Sequence, residues 1–148
     1  MIVRVKRLCE EAVMPKKAHE SDAGFDLVAV RSELDELGNM VYGTGLAFEI
    51  PDGYVGLLFP RSSIAKKDLA LTNCVGVIDS GYRGEVMAKF KSVVKFSENG
   101  VFFNNDVYEA GDRIVQMIIM KLPDVQLVES DELGESDRGK GGFGSSGA

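Results

Sequence analysis

The sequence predicts an all-β sandwich or barrel with few helices, and three observations carry that reading. Short extended segments recur along the 148 residues. Turn clusters such as Pro51-Asp-Gly53, Glu98-Asn-Gly100 and Glu109-Ala-Gly-Asp112 punctuate them, which is the rhythm of antiparallel strands joined by tight connections. No stretch carries a sustained apolar stripe at helical spacing.

In chain order the extended segments are Val3–Lys6, Phe25–Val30, Gly45–Ile50 and Tyr54–Phe59, each rich in β-branched or aromatic residues. Pro60 then stops the strand, and one short helix is expected over Ser63–Asp68 with Ser62 as its cap. Residues 71–85 read as a β-hairpin: Val75, Val77 and Ile78 supply strand propensity, Ser80-Gly81 is a turn dipeptide, and Glu85–Phe90 resumes an extended course. Ile114–Met120 is apolar on both alternating faces except at Gln116, the mark of a strand buried on both sides or against a partner. Beyond Val128 the composition turns acidic and polar, and five of the last ten residues are glycine. The division expected is a β domain over residues 1–128 and a flexible arm over 129–148.

Composition narrows the chemistry. A content of 45% apolar and 27% charged residues is that of an ordinary soluble domain. The longest apolar run is far below the roughly 20 residues of a membrane helix, and the opening Met-Ile-Val-Arg-Val-Lys-Arg lacks a signal peptide's apolar centre. An intracellular, cytoplasmic protein is therefore expected. Cys9 and Cys74 stand alone and His19 is the only histidine, which removes zinc-cluster and Ser-His-Asp schemes and leaves carboxylate and hydrogen-bond chemistry. A net charge of −6 opposes a broad nucleic-acid surface, whereas a few converging cations could still hold a small polyanion.

Three places could carry that chemistry. Asp79 falls where a strand gives way to a loop, a frequent position for a catalytic carboxylate; an Asp before Ser-Gly is also a turn former that bonds its own backbone. Arg61, Ser62 and Ser63 bring a cation and hydroxyls to an expected helix start, where free N–H groups attract anions; simple capping reads the same residues equally well. The run Arg138-Gly-Lys-Gly-Gly-Phe-Gly-Ser-Ser-Gly147 offers donors for phosphate and an aromatic face for a base, though it lacks the Gly-Lys-Ser/Thr ending of a P-loop, and a Gly/Ser tail is often an inert linker.

Taken together these segments resemble the homotrimeric dUTPases. Ala23-Gly-Phe-Asp-Leu-Val-Ala29, Pro60-Arg-Ser-Ser-Ile-Ala-Lys66, Gly76-Val-Ile-Asp-Ser-Gly-Tyr-Arg-Gly-Glu85, Gly111-Asp-Arg-Ile-Val-Gln116 and Arg138–Gly147 match the family's five motifs in order. The resemblance implies a jelly-roll-like β-barrel, a homotrimer with active sites at subunit interfaces, and hydrolysis of dUTP to dUMP and pyrophosphate. That reaction limits uracil incorporation into DNA and supplies dUMP for dTMP synthesis. Nucleic acid and membrane are not expected partners.

Roles carry over by motif. Asn73, Gly76, Val77 and Ile78 would receive uracil, and Tyr82 would lie under the deoxyribose and reject a 2′-hydroxyl. Asp79 would activate the attacking water, with Gln116 helping to orient it. Arg61, Ser62, Ser63, Arg138, Gly144, Ser145 and Ser146 would grip the phosphates, and Phe143 would stack on the base. Mg2+ is the implied cofactor, with Asp26 contacting it through water or else bracing its strand. Two departures stand out: Ser63 where many relatives have Gly, and Ser146 for a common Thr. The rivals are a dCTP deaminase of the same fold, or a non-catalytic barrel. The Phe-bearing arm and the retained Asp79 favour the pyrophosphatase.

Overall fold

Two four-stranded antiparallel sheets face each other across an apolar interior. The computed structural model describes residues 1–93, 95–97, 100–102 and 106–142. Its strands are β1 (Arg4–Arg7), β2 (Phe25–Val28), β3 (Arg31–Leu34), β4 (Met40–Gly43), β5 (Leu46–Glu49), β6 (Tyr54–Pro60), β7 (Leu69–Leu71), β8 (Gly76–Ile78), β9 (Met87–Ser92), β10 (Lys95–Ser97), β11 (Gly100–Phe102) and β12 (Arg113–Lys121). One sheet has the order β2-β12-β6-β8 and the other β3-β4-β9-β7, with β1-β5 and β10-β11 as two-stranded ribbons. Neighbours within the sheets are mostly distant in sequence, as in a jelly roll.

The core follows from alternation. Leu27, Tyr42, Leu46, Ile50, Phe90, Ile114 and Met117 are 0–2% exposed. Tyr42, Phe90 and Tyr108 form a ring cluster with centroids 5.7–6.1 Å apart and edge-on or tilted planes, the geometry aromatic quadrupoles prefer. The buried phenol of Tyr42 donates to the Tyr108 carbonyl at 2.9 Å, so the polar end of a fully enclosed side chain is satisfied. The two-sided apolar strand is β12, held between β2 and β6.

Two expectations need correction. The short helix is a 3-10 turn over Ser62–Lys66; Arg61, not Ser62, occupies its cap position, and no side chain caps it. It ends early because Asp68 N–H turns to the carbonyl of Asp106 and β7 begins at Leu69. A five-residue turn has little dipole to offer an anion. The 71–85 stretch is likewise not one hairpin ladder. Gly76–Ile78 pairs with Leu58–Gly56 of β6, whereas Met87–Ser92 pairs with β4 and β7. Its two limbs lie in different sheets, because the eight residues between them exceed the two- to five-residue loops that close a hairpin.

Downstream of β12 the described residues hold no strand, and residues 121–140 are exposed. Leu127 and Leu133 are 93% and 89% exposed.

Candidate active site

The connection β7–β8 is the first half of the candidate site. Leu71 ends its strand, and the turn closes with Cys74 N–H on the Leu71 carbonyl at 3.1 Å and Val75 N–H on that of Asn73 at 2.6 Å. Cys74 takes φ +60°, a left-handed conformation rare outside Gly, Asn and Asp. Asn73, Gly76, Val77 and Ile78 thereby line a cavity of about 170 Å³ with Thr72 and Lys89. An adjoining cavity of about 220 Å³ shares Val77 and Ile78 and adds Asp79, Tyr82 and Glu85. Asp79 follows the last residue of β8, and its carbonyl accepts from Tyr82 N–H at 3.1 Å. The Tyr82 phenol donates to the Glu85 carbonyl at 3.0 Å, and the ring lies where a Cβ on Gly84 would collide with it, so glycine there allows the close approach.

The second half sits at the other end of the same sheet. Asp26 on β2 faces Gln116 on β12, and Gln116 faces Phe59 on β6. That register brings Asp26, Arg61, Ser62 and Gln116 around a cavity of about 250 Å³, with Asp22 and Gly24. Asp26 accepts from Arg61 Nε at 2.7 Å through one oxygen and from Arg113 Nη1 at 3.0 Å through the other. Arg61 Nη1 reaches Ser63 Oγ at 3.4 Å. Gln116 donates its amide N–H to the Pro60 carbonyl at 3.1 Å. A Cβ on Gly24 would stand 2.8 Å from Gln116 Oε1, so only glycine leaves the side-chain oxygen its place.

Glu85, Arg113 and Asp22 are site-bordering residues that the sequence reading did not single out. Glu85 accepts from both Nη atoms of Arg31 and from Gly45 N–H. The Arg31 guanidinium and then the Gly45 amide hold its carboxyl below the usual carboxylate range against the effect of burial. A partner 54 residues away in sequence left no local signal. Arg113 was within a quoted motif, but its bond to Asp26 is a cross-strand contact that only the β2–β12 register discloses.

The two halves are separate in one chain. Ile78, next to Asp79, pairs with Gly56, and Arg61 lies five residues further along, so at the rise of a strand about 17 Å separates the Asp79 end of the first half from Arg61. They share no lining residue. Arg138 touches neither cavity: its Nε donates to the Gly141 carbonyl at 3.0 Å within the exposed tail. Phe143, Gly144, Ser145 and Ser146 lie outside the described residues. Among the described residues no cluster of three or more His, Cys, Asp or Glu could hold a metal, and no helix is long and apolar enough to cross a membrane.

Barrel and clefts place the chain in the class of dUTPase-like jelly rolls. The dUTPase family model matches residues 10–147. Deoxyuridine 5′-triphosphate nucleotidohydrolases from Mycobacterium sp. (strain JLS) and Tropheryma whipplei (strain Twist) are 41% and 37% identical over 97% of this chain, covering 93% and 94% of their own lengths. A Staphylococcus bacteriophage 80alpha dUTPase mutant with dUpNHpp superposes with a TM-score of 0.82 at 30% identity, with 99% of each chain covered. A dUTPase mutant from phage phi11 of S. aureus, described for coordination of a structural Mg(II) ion, gives 0.71 at 26% identity over 89% of this chain and 98% of its own. The chain belongs to the dUTPase family.

Proposed function

We propose that this protein hydrolyses dUTP to dUMP and pyrophosphate, so limiting uracil in DNA and supplying dUMP for dTMP synthesis. The observation that carries the reading is that Asp79 and Tyr82 line a cavity sharing Val77 and Ile78 with the one lined by Asn73 and Gly76. Backbone groups and the Asn73 amide there suit the edge of uracil. Cytosine would leave buried polar partners unpaired, a larger loss than the roughly 1–3 kcal/mol of a misplaced methylene. Tyr82 lies under the sugar and leaves no room for a 2′-hydroxyl.

In the reaction a water oxygen bonds to the α-phosphorus, the bridging bond to the β-phosphate breaks, and pyrophosphate leaves. Asp79 takes the water's proton, and Gln116 orients the water or the phosphate. A carboxylate is a weak base for water, so positioning and charge stabilisation supply most of the acceleration. Arg61, Ser62 and Ser63 bind phosphate, and Arg138, Phe143, Gly144, Ser145 and Ser146 close over the nucleotide.

Magnesium fits this site as a substrate-bound ion. The absence of a carboxylate cluster among the described residues accords with an ion that keeps waters and takes most ligands from phosphate. Asp26 and Asp22 are the carboxylates in the phosphate cavity, and because Arg61 and Arg113 occupy both oxygens of Asp26, contact through water suits Asp26 better than direct ligation. When bound, the ion neutralises triphosphate charge.

The separation of about 17 Å along β6 between the Asp79 end and Arg61 supports sites in which Asp79 of one copy meets Arg61 and Gln116 of another, and the resemblance to homotrimeric dUTPases makes the assembly a homotrimer. An assay of pyrophosphate release across the four dNTPs, dUTP and UTP tests the reading: turnover confined to dUTP is expected, and comparable turnover of UTP would remove Tyr82 from its role. Ammonia released from dCTP would identify the deaminase instead.

A further inference from the structure

Tyr82 is 43% exposed, so packing alone holds its ring weakly. Its fixed point is the bond from the phenol to the Glu85 carbonyl. What fixes Glu85 is therefore what fixes the wall of the cleft. The Glu85 side chain is only 16% exposed, and taking a carboxylate that far from water is costly unless it is paired and hydrogen-bonded. Here it is. Oε1 accepts from Arg31 Nη1 and Gly45 N–H, each at 2.7 Å, and Oε2 accepts from Arg31 Nη2.

These partners belong to a different sheet from β8. Arg31 begins β3, and Gly45 links β4 to β5. The next residue is anchored to the same link: Val86 N–H bonds the Leu46 carbonyl at 2.8 Å, and Thr44 Oγ1 donates to the Val86 carbonyl at 2.7 Å. A bidentate guanidinium–carboxylate pair adds direction to this anchoring, because two parallel bonds forbid rotation. With an apolar residue in the same space, the carbonyl that Tyr82 uses would be held through the bonds of Val86 alone.

We propose that the Arg31–Glu85 pair is a strut that sets the position of Tyr82, making both of them positioning residues for discrimination between deoxyribose and ribose. The inference rests on Tyr82 reading the sugar as described above. Loosening the strut lets the ring withdraw, and a 2′-hydroxyl gains room. The depressed Glu85 carboxyl accords with a pair that stays ionised at neutral pH.

The test compares kcat/KM for dUTP and UTP in the wild type and in Glu85→Ala, Glu85→Gln, Arg31→Met and Arg31→Lys. Glu85→Ala and Arg31→Met should raise the UTP:dUTP ratio at least tenfold. Glu85→Gln, which keeps an acceptor for Gly45, and Arg31→Lys, which keeps the charge, should fall between these and the wild type. If Glu85→Ala does not fold, exposed Arg31 carries the test. An unchanged ratio in the folded variants, or an equal decline on both substrates, overturns the strut. A wild type inactive on dUTP would instead overturn the functional reading beneath it.

Discussion

Asp26 holds Arg61 by a 2.7 Å bond from the guanidinium Nε, which leaves donors on the two Nη atoms of that arginine. One of them reaches Ser63. A lysine is a point charge without the planar fork that lets separate nitrogens of Arg61 serve Asp26 and a phosphate. Arg61→Lys is expected to raise KM for dUTP at least tenfold while leaving the folded barrel intact, and steady-state kinetics with circular dichroism check both halves of the statement.

Asp79→Asn should reduce kcat at least a hundredfold and change the affinity for a non-hydrolysable dUTP analogue less than threefold, since the amide still bonds but takes no proton. Isothermal titration beside single-turnover rates separates the two. Turnover near wild type would exclude Asp79 as the base.

Much of the fold is legible in the sequence. Four of the early strands lie close to where alternation and turn signals put them, and Gln116 stood out as the lone polar residue of an apolar run. Pairing was not legible: Val75, Val77 and Ile78 have strand propensity, yet only β6 supplies the partner that makes Gly76–Ile78 a strand. β3 escaped notice because Arg31–Leu34 is exposed throughout, so no apolar alternation marks it. The helix was misjudged because local capping signals say nothing about the pull of Asp106 on Asp68. Motif order proposes the site's membership, whereas the separation of its residues into two clefts along β6 is a property of register alone.

If each site draws Asp79 from one copy and Arg61 from another, two inactive chains should rescue each other. Asp79→Asn and Arg61→Ala, unfolded together and refolded as a mixture, should recover activity that neither shows alone. Sedimentation should give a species three times the 16.1 kDa chain. A lone 16.1 kDa species with full activity would rule out shared sites.

Acid should destabilise the fold through two carboxylates. Asn39, by its side chain and then its backbone, leads the partners that hold Asp35 at about 2, and Arg31 holds Glu85 below its usual range. Both are depressed in the folded state, so their contribution is present above the ordinary carboxylate range and is lost as pH falls toward about 2. The urea midpoint should be level near neutrality and decline across that acid window, and Asp35→Asn with Glu85→Gln should flatten the decline. A midpoint equally steep in the double variant would assign acid sensitivity elsewhere.

The four tyrosines and the lack of tryptophan give the ring cluster a practical side. Tyr42 and Tyr108 are sealed at 0% and 3% exposure, while Tyr82 stands open at 43%. Burial also pushes the Tyr42 phenol up, so it ionises late in an alkaline titration. A nitrating reagent should therefore label Tyr82 ahead of the enclosed pair, and the yellow nitrophenol would install a chromophore at the cleft while the interior stays colourless. Protection of that colour change by a nucleotide would report occupancy without a reaction having to occur.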